Sequence, residues 1–199
     1  MGLNLQYEYG QTPLEAEELE GIKIATISTK AELDEWEQQN IEEALLWAMN
    51  KKWKIEKILS EVFINDLHKR MYKNIWKWAG NFRKTEKNIG VVAYQIPTAL
   101  RQLLDDAQYW YQHQIYAPDE LALRFKHRLV SIHCFPNGNG RHSRLMADII
   151  IEKIFGLPVF TWGRNQTGKD NPTIRTAYIT AVKAGDRDEL QPLLAFARS

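Results

Sequence analysis

Apolar residues recur three and four apart along most of this chain, the spacing that places them on one face of a helix. Leu33, Trp36, Ile41, Leu45 and Met49 predict an amphipathic helix to about Asn50, and Thr29 with Glu32 forms a capping box at its start. Val62, Ile64, Leu67 and Met71 give the inward face of a second helix, within "ILSEVFINDLHKRMY". Pro97 opens a long helix, and Pro118 opens another in which Leu121, Phe125, Leu129 and Ile132 line up. Helical patterning resumes at Arg141 and runs to about Phe155, where Gly156 and Pro158 stop it. Pro172 opens a further helix ended by Gly185, and "RDELQPLLAFA" predicts a last short one.

Two stretches break this rhythm. In "WAGNFRKTEKNIGVVAYQIP", glycines, an Asn-Ile-Gly step and β-branched residues predict a short hairpin or extended loop at roughly 82–96. The first 25 or so residues lack a period strong enough for a core element. They predict an arm with a short helix at "PLEAEELEG", Pro13 in its first turn and Gly21 as its stop. The expected fold is all-α, a mainly helical bundle with a small β-hairpin flap. An N-terminal arm over 1–28 precedes a domain over 29–199.

Composition narrows the class. Hydrophobic residues make up 44% of the 199 and charged residues 26%, values of a globular protein. The formal net charge of +1 gives no support to direct nucleic-acid binding. The single cysteine, Cys134, has no internal partner and fits a reducing compartment. The acidic N-terminus has no apolar h-region, and no apolar run approaches the ~20 residues of a membrane span. A cytoplasmic protein without a membrane partner is expected.

The chemistry concentrates in "IHCFPNGNGRHSRL", Ile132 to Leu145. His133 ends one predicted helix, and Gly138, Asn139 and Gly140 lie where the next begins. A helix N-terminus exposes unpaired N–H groups and partial positive charge, and glycines let a ligand approach the backbone. Together they make an anion cradle. Arg141 and Arg144 share a face near the first turn, an unfavourable place for cations unless an anion sits among them. A neutral imidazole at His133 can take the proton of a hydroxyl attacking phosphorus. Phe135 would pack under the turn. A divalent ion would normally neutralise the phosphates, and Asn137 is the nearest ligand for one.

"HCFPNGNGRHSR" resembles the signature of Fic-domain proteins, H-P-F-x-(D/E)-G-N-G-R-x-x-R, at His133, Phe135, Gly138, Asn139, Gly140, Arg141 and Arg144. "WAGNFRKTEKNIG" and "RTAYITAVKAGDRDELQPLLAFA" resemble the family's flap and C-terminal helices, and the whole chain is similar to a bacterial branch called mobile mystery protein B. The resemblance implies a Fic fold and adenylylation: transfer of AMP from Mg-ATP to a Ser, Thr or Tyr hydroxyl of a target protein. His133 would be the general base, Gly138, Asn139 and Gly140 the anion hole, and Arg141 and Arg144 the holders of the outer phosphates. Residues near 84–96 would clamp an extended target segment by strand pairing. A toxin-like role with an antitoxin partner also follows.

Two positions depart from the family pattern: Cys134 replaces proline and Asn137 the acidic ligand for Mg²⁺. A neutral amide binds that ion more weakly than a carboxylate. This keeps a Doc-like phosphotransferase open as an alternative, alongside a silent nucleotide- or partner-binding module. The family's inhibitory pattern, (S/T)-x-x-x-E-(G/N), is matched by Glu20 and Gly21 but not by Ala16. Two readings stay open: an ordinary acidic helix on the arm, or a regulatory Glu20 that pairs with Arg144 and blocks productive ATP binding.

Other features read as ordinary. "GRNQTGKD" at 163–170 nearly matches a P-loop, but Asp170 stands in place of the hydroxyl and Pro172 follows at once. His127, His133 and His142 lack a zinc spacing. The aromatics of "WYQHQIY" and "WKW" suit core and helix surface.

Overall fold

A computed structural model describes residues 12–164 and 172–199. Its elements are α1 (Ala16–Leu19), α2 (Lys30–Met49), α3 (Ile55–Ile58), α4 (Glu61–Tyr72), a 3₁₀ turn (Ala93–Gln95), α5 (Ile96–Gln112), α6 (Pro118–Ile132), α7 (Asn139–Lys153), α8 (Pro172–Gly185) and α9 (Gln191–Arg198). The fold is all-α, as expected. The near P-loop match falls mostly on 165–171, outside the described residues.

The centre of the bundle is the antiparallel pair α6 and α7, joined by the short loop that carries the motif. Leu121, Ala122, Phe125 and Leu129 of α6 meet a core that includes Met146, Ala147, Ile149 and Ile150 of α7. Burying each large aliphatic side chain contributes about 1.5–3 kcal/mol, so this pair is a rigid base for the loop. α5 packs on the outer side of α6, α2 packs on α4, and α8 packs on α9. Among the described residues no helix is long and apolar enough to cross a membrane.

Three expectations change. The capping box at Thr29 and Glu32 forms, and α2 ends near Asn50, but its buried face is Leu33, Glu37, Asn40, Ala44 and Ala48. Trp36 is 44% exposed. The apolar pattern missed this face because two of its members are polar: Glu37 accepts from the Trp76 indole at 2.8 Å, and Asn40 donates to the Trp36 carbonyl at 2.8 Å. The second predicted helix starts later, as α4, and buries Ile64, Leu67 and Met71 as expected. Ser60 caps its start, its hydroxyl donating to the Lys57 carbonyl and accepting from the Phe63 amide, and the register then buries Phe63 and exposes Val62. Residues 82–92 form an extended loop with no strand ladder, so the flap is not a β-hairpin. Side-chain bonds from Arg83, described below, hold this loop in place of a ladder.

The arm is tied to the bundle. An isolated antiparallel bridge joins Ile22 to Trp76, with Lys23 N donating to Ile75 O and Lys77 N to Gly21 O, both at 2.8 Å. Pro13 precedes α1 instead of opening it; Glu15 caps that helix in a box with Glu18.

Candidate active site

His133 caps α6 in the left-handed region, at φ 58° and ψ 60°. That turn reverses the chain and sends Cys134 and Phe135 into the core. The Phe135 ring stacks on His68 of α4 at 3.7 Å between centroids. The Asn139 amide clasps the loop from within: its oxygen accepts from Phe135 N at 3.0 Å and its nitrogen donates to Phe135 O at 2.7 Å. Gly138 starts α7 at φ 77°, and a Cβ there would lie 2.5 Å from the Tyr72 ring and hydroxyl, so only glycine fits. A Cβ at Gly140 would meet nothing within 4 Å, which leaves the first turn of α7 open on that side. α7 begins at Asn139, two residues before the expected start, so the glycine run is part of the helix start.

The His133 imidazole is 4% exposed, and neither ring nitrogen has a partner in hydrogen-bonding geometry, although the Val130 carbonyl bears on the ring and favours its proton. Burial first, and then the Arg83 guanidinium, push its pKa down to about 4. The ring is therefore neutral near pH 7 and has lone-pair capacity to accept a proton.

Sequence reasoning missed the residues that hold this loop. Arg83 is one. Its backbone amide donates to Cys134 O at 2.9 Å, its Nε to His133 O at 2.7 Å, and its terminal nitrogens to the carbonyls of Thr85 (2.9 Å) and Val91. Val91 N in turn donates to Ile132 O. His68 is another. Its Nδ1 accepts from Gly80 N at 3.0 Å, which fixes the ring proton on Nε2, and Nε2 donates to the Asn137 carbonyl at 3.1 Å. His142 donates to Ile64 O at 3.0 Å. Neither His68 nor Arg83 sits in the motif, and their only sequence signal is a polar residue within a stretch of otherwise apolar or turn character.

The two motif arginines diverge. Arg141 reaches back to α2, where Nη2 meets Glu37 Oε2 at 2.6 Å. Arg144 lies 5.0 Å over the Tyr178 ring of α8. Glu20 is exposed, and no ion pair joins it to Arg144; the acidic residue of the arm that turns inward is Glu18. The expected Glu20–Arg144 contact is absent because α1 ends at Leu19 and leaves Glu20 in a solvent-facing turn. Cys134 is buried and burial pushes its thiol up to about 12, so it packs where the pattern has proline.

The loop does not fit a protein-held Mg²⁺. Such an ion takes one or two carboxylates together with substrate phosphates. The loop offers no carboxylate, and the Asn137 side-chain oxygen already accepts from Gly138 N at 2.7 Å. Among the described residues no group of three His, Cys, Asp or Glu could hold a metal.

The segment that carries this loop, residues 58–151, matches the model of the Fic/DOC family. Solved structures share its fold. A Fic domain containing signaling protein from Bacteroides thetaiotaomicron matches with a TM-score of 0.66 and 18% identity, over 80% of this chain and 66% of that one. The effector BepC from Bartonella tribocorum, with bound AMPPNP, matches at 0.68 and 17%, over 92% and 97%. The N-terminal Fic domain of a cell filamentation protein from Bartonella quintana, with bound ADP, matches at 0.67 and 15%, over 87% and 86%.

Proposed function

We propose that this chain transfers AMP from ATP to a hydroxyl of a target protein. One observation carries the reading: a buried, neutral His133 with unpartnered ring nitrogens ends the helix that leads into the glycine-lined start of α7. The first amides of α7 have no carbonyl a turn behind them within the helix and suit phosphate oxygens. In the step, His133 takes the proton of the target hydroxyl, the freed oxygen bonds to the α-phosphorus, and the bond from that phosphorus to pyrophosphate breaks. Solved relatives with bound AMPPNP and ADP support a nucleotide at this fold. Arg144, over the Tyr178 ring, would meet the outer phosphates, and Arg141 would join it only by leaving Glu37. Any Mg²⁺ would arrive on the nucleotide. The toxin-like setting, antitoxin partner and cytoplasmic site belong to the same proposal.

ATP labelled separately at the α and γ phosphates tests it. α-label on a target protein supports AMP transfer, and γ-label would instead support phosphotransfer. A silent binding module is favoured by the Arg141–Glu37 pair, which ties up one motif arginine; it would give neither label. His133→Ala should abolish transfer, and surviving activity would remove His133 as the base.

A further inference from the structure

The arm lies on the flap through a carboxylate. Glu18 is buried, and its side chain accepts from Lys87 Nζ at 2.6 Å, Thr85 Oγ1 at 2.7 Å and Glu15 N at 2.8 Å. Lys87 Nζ also lies 3.6 Å from Glu15 Oε1 and donates to Pro13 O at 3.2 Å. Its side chain is only 2% exposed, so this ammonium has exchanged water for the arm. Asn137 Nδ2 donates to Thr12 O at 3.1 Å, which brings the arm onto the motif loop itself. Leu14 is buried and the Trp78 indole donates to Glu18 O at 3.0 Å, which completes the seat.

These contacts outline a groove whose floor is Thr85, Lys87 and Asn137. An occupant that covers this ammonium and the Thr85 hydroxyl must bring an anion, because a charge taken out of water unpaired is costly. The groove borders His133, on which both Lys87 and Glu18 act electrostatically. We propose that this groove takes an acidic segment of the target protein, a carboxylate of which sits between Lys87 and Thr85, and that residues 12–18 fill it in the resting chain. Calling the occupant a target rests on the transfer reading; recognition of the carboxylate does not. The arm binds in cis at an effective concentration in the millimolar range, so an acidic segment in trans must displace it. Access to His133 is thereby coupled to the charge of the segment that approaches.

The probe is a fluorescent peptide copying residues 12–21, followed by anisotropy on the full chain without nucleotide. Glu18→Lys should expel the cis arm and bind the peptide at least about tenfold tighter than the wild type. Adding Lys87→Glu should re-form the pair with reversed charges and abolish peptide binding. Glu18→Gln, which keeps the shape of the side chain, should give the same ordering in smaller measure. Equal binding by wild type and both Glu18 variants would overturn the proposal. So would a peptide with Gln at both Glu15 and Glu18 that binds as tightly as the acidic one. If the ordering holds while α-label never reaches protein, the groove stands and the transfer reading falls. The converse result leaves transfer standing without the groove.

Discussion

Arg83 Nε donates to the His133 carbonyl at 2.7 Å, and through its other nitrogens the same side chain reaches carbonyls on both arms of the flap. His133 and the loop at 82–92 are therefore a single unit held by one buried guanidinium. Arg83→Met keeps much of the bulk and leaves three carbonyls without their donor. Each unsatisfied buried group costs about 1–3 kcal/mol, so a loss of several kcal/mol is expected in urea denaturation. Arg83→Lys, which can restore a single bond, should fall between. Transfer should drop for both variants even at temperatures where each stays folded.

Acid should unfold this protein through its histidines. His133 and His142 are each pushed from an ordinary value of 6.5 down to about 4, burial being the first cause, and burial holds His68 well below the usual range as well. The folded state thus binds fewer protons than the unfolded state between those values. The stability contributed by the neutral rings is complete above pH 6.5 and is lost as pH falls toward 4. A shift of that size is worth roughly 3 kcal/mol per ring. His133→Gln removes one ring, so the slope of stability against pH in this window should fall by up to about 1.4 kcal/mol per pH unit. An unchanged slope in stepwise urea titrations would show that His133 is not held neutral by its surroundings.

Glu37→Gln should move stability and ligand affinity in opposite directions. It removes the carboxylate that holds Arg141 and also accepts from Trp76. Breaking a buried pair at one end costs about 3–5 kcal/mol, and the lower end applies here because the Arg141 side chain is 32% exposed. The freed guanidinium can then turn to phosphate, so calorimetry should show tighter ATP binding by the less stable variant. Looser binding would mean that Glu37 orients Arg141 for the nucleotide.

These cases show what the sequence could and could not disclose. The α6–loop–α7 unit was readable because apolar spacing, glycine and arginine all fall within one short window, where local rules apply. Glu37 and Asn40 hid the inner face of α2, since a pattern of apolar residues cannot register a buried carboxylate whose partners are Trp76 and Arg141, 39 and 104 positions away. His68 and Arg83 were silent for the same reason: their function lies in bonds to backbone atoms 69 and 50 positions away. The arm was legible as a segment apart, and its likeness to the family's inhibitory pattern pointed to Glu20. The particular carboxylate depends on where α1 ends, and a four-residue helix leaves no periodic trace.

Asn137→Asp should change two things at once. The amide nitrogen that donates to Thr12 O is lost, and a carboxylate then faces that carbonyl. It also supplies the charged oxygen that hard cations prefer. Transfer should become more responsive to Mg²⁺, and proteolysis within residues 12–20 should accelerate as the arm leaves. A variant with unchanged Mg²⁺ response and an unchanged cleavage rate would sever Asn137 from both roles.

The thiol beside His133 has a practical consequence. Cys134 is the single cysteine of the chain, 1% exposed, with its proton held tightly by burial. An alkylating reagent meets a thiolate only when the segment following His133 swings away from the core. The rate at which the folded protein gains the mass of that reagent is thus a stopwatch on the opening of the motif loop, readable by mass spectrometry without any engineered label.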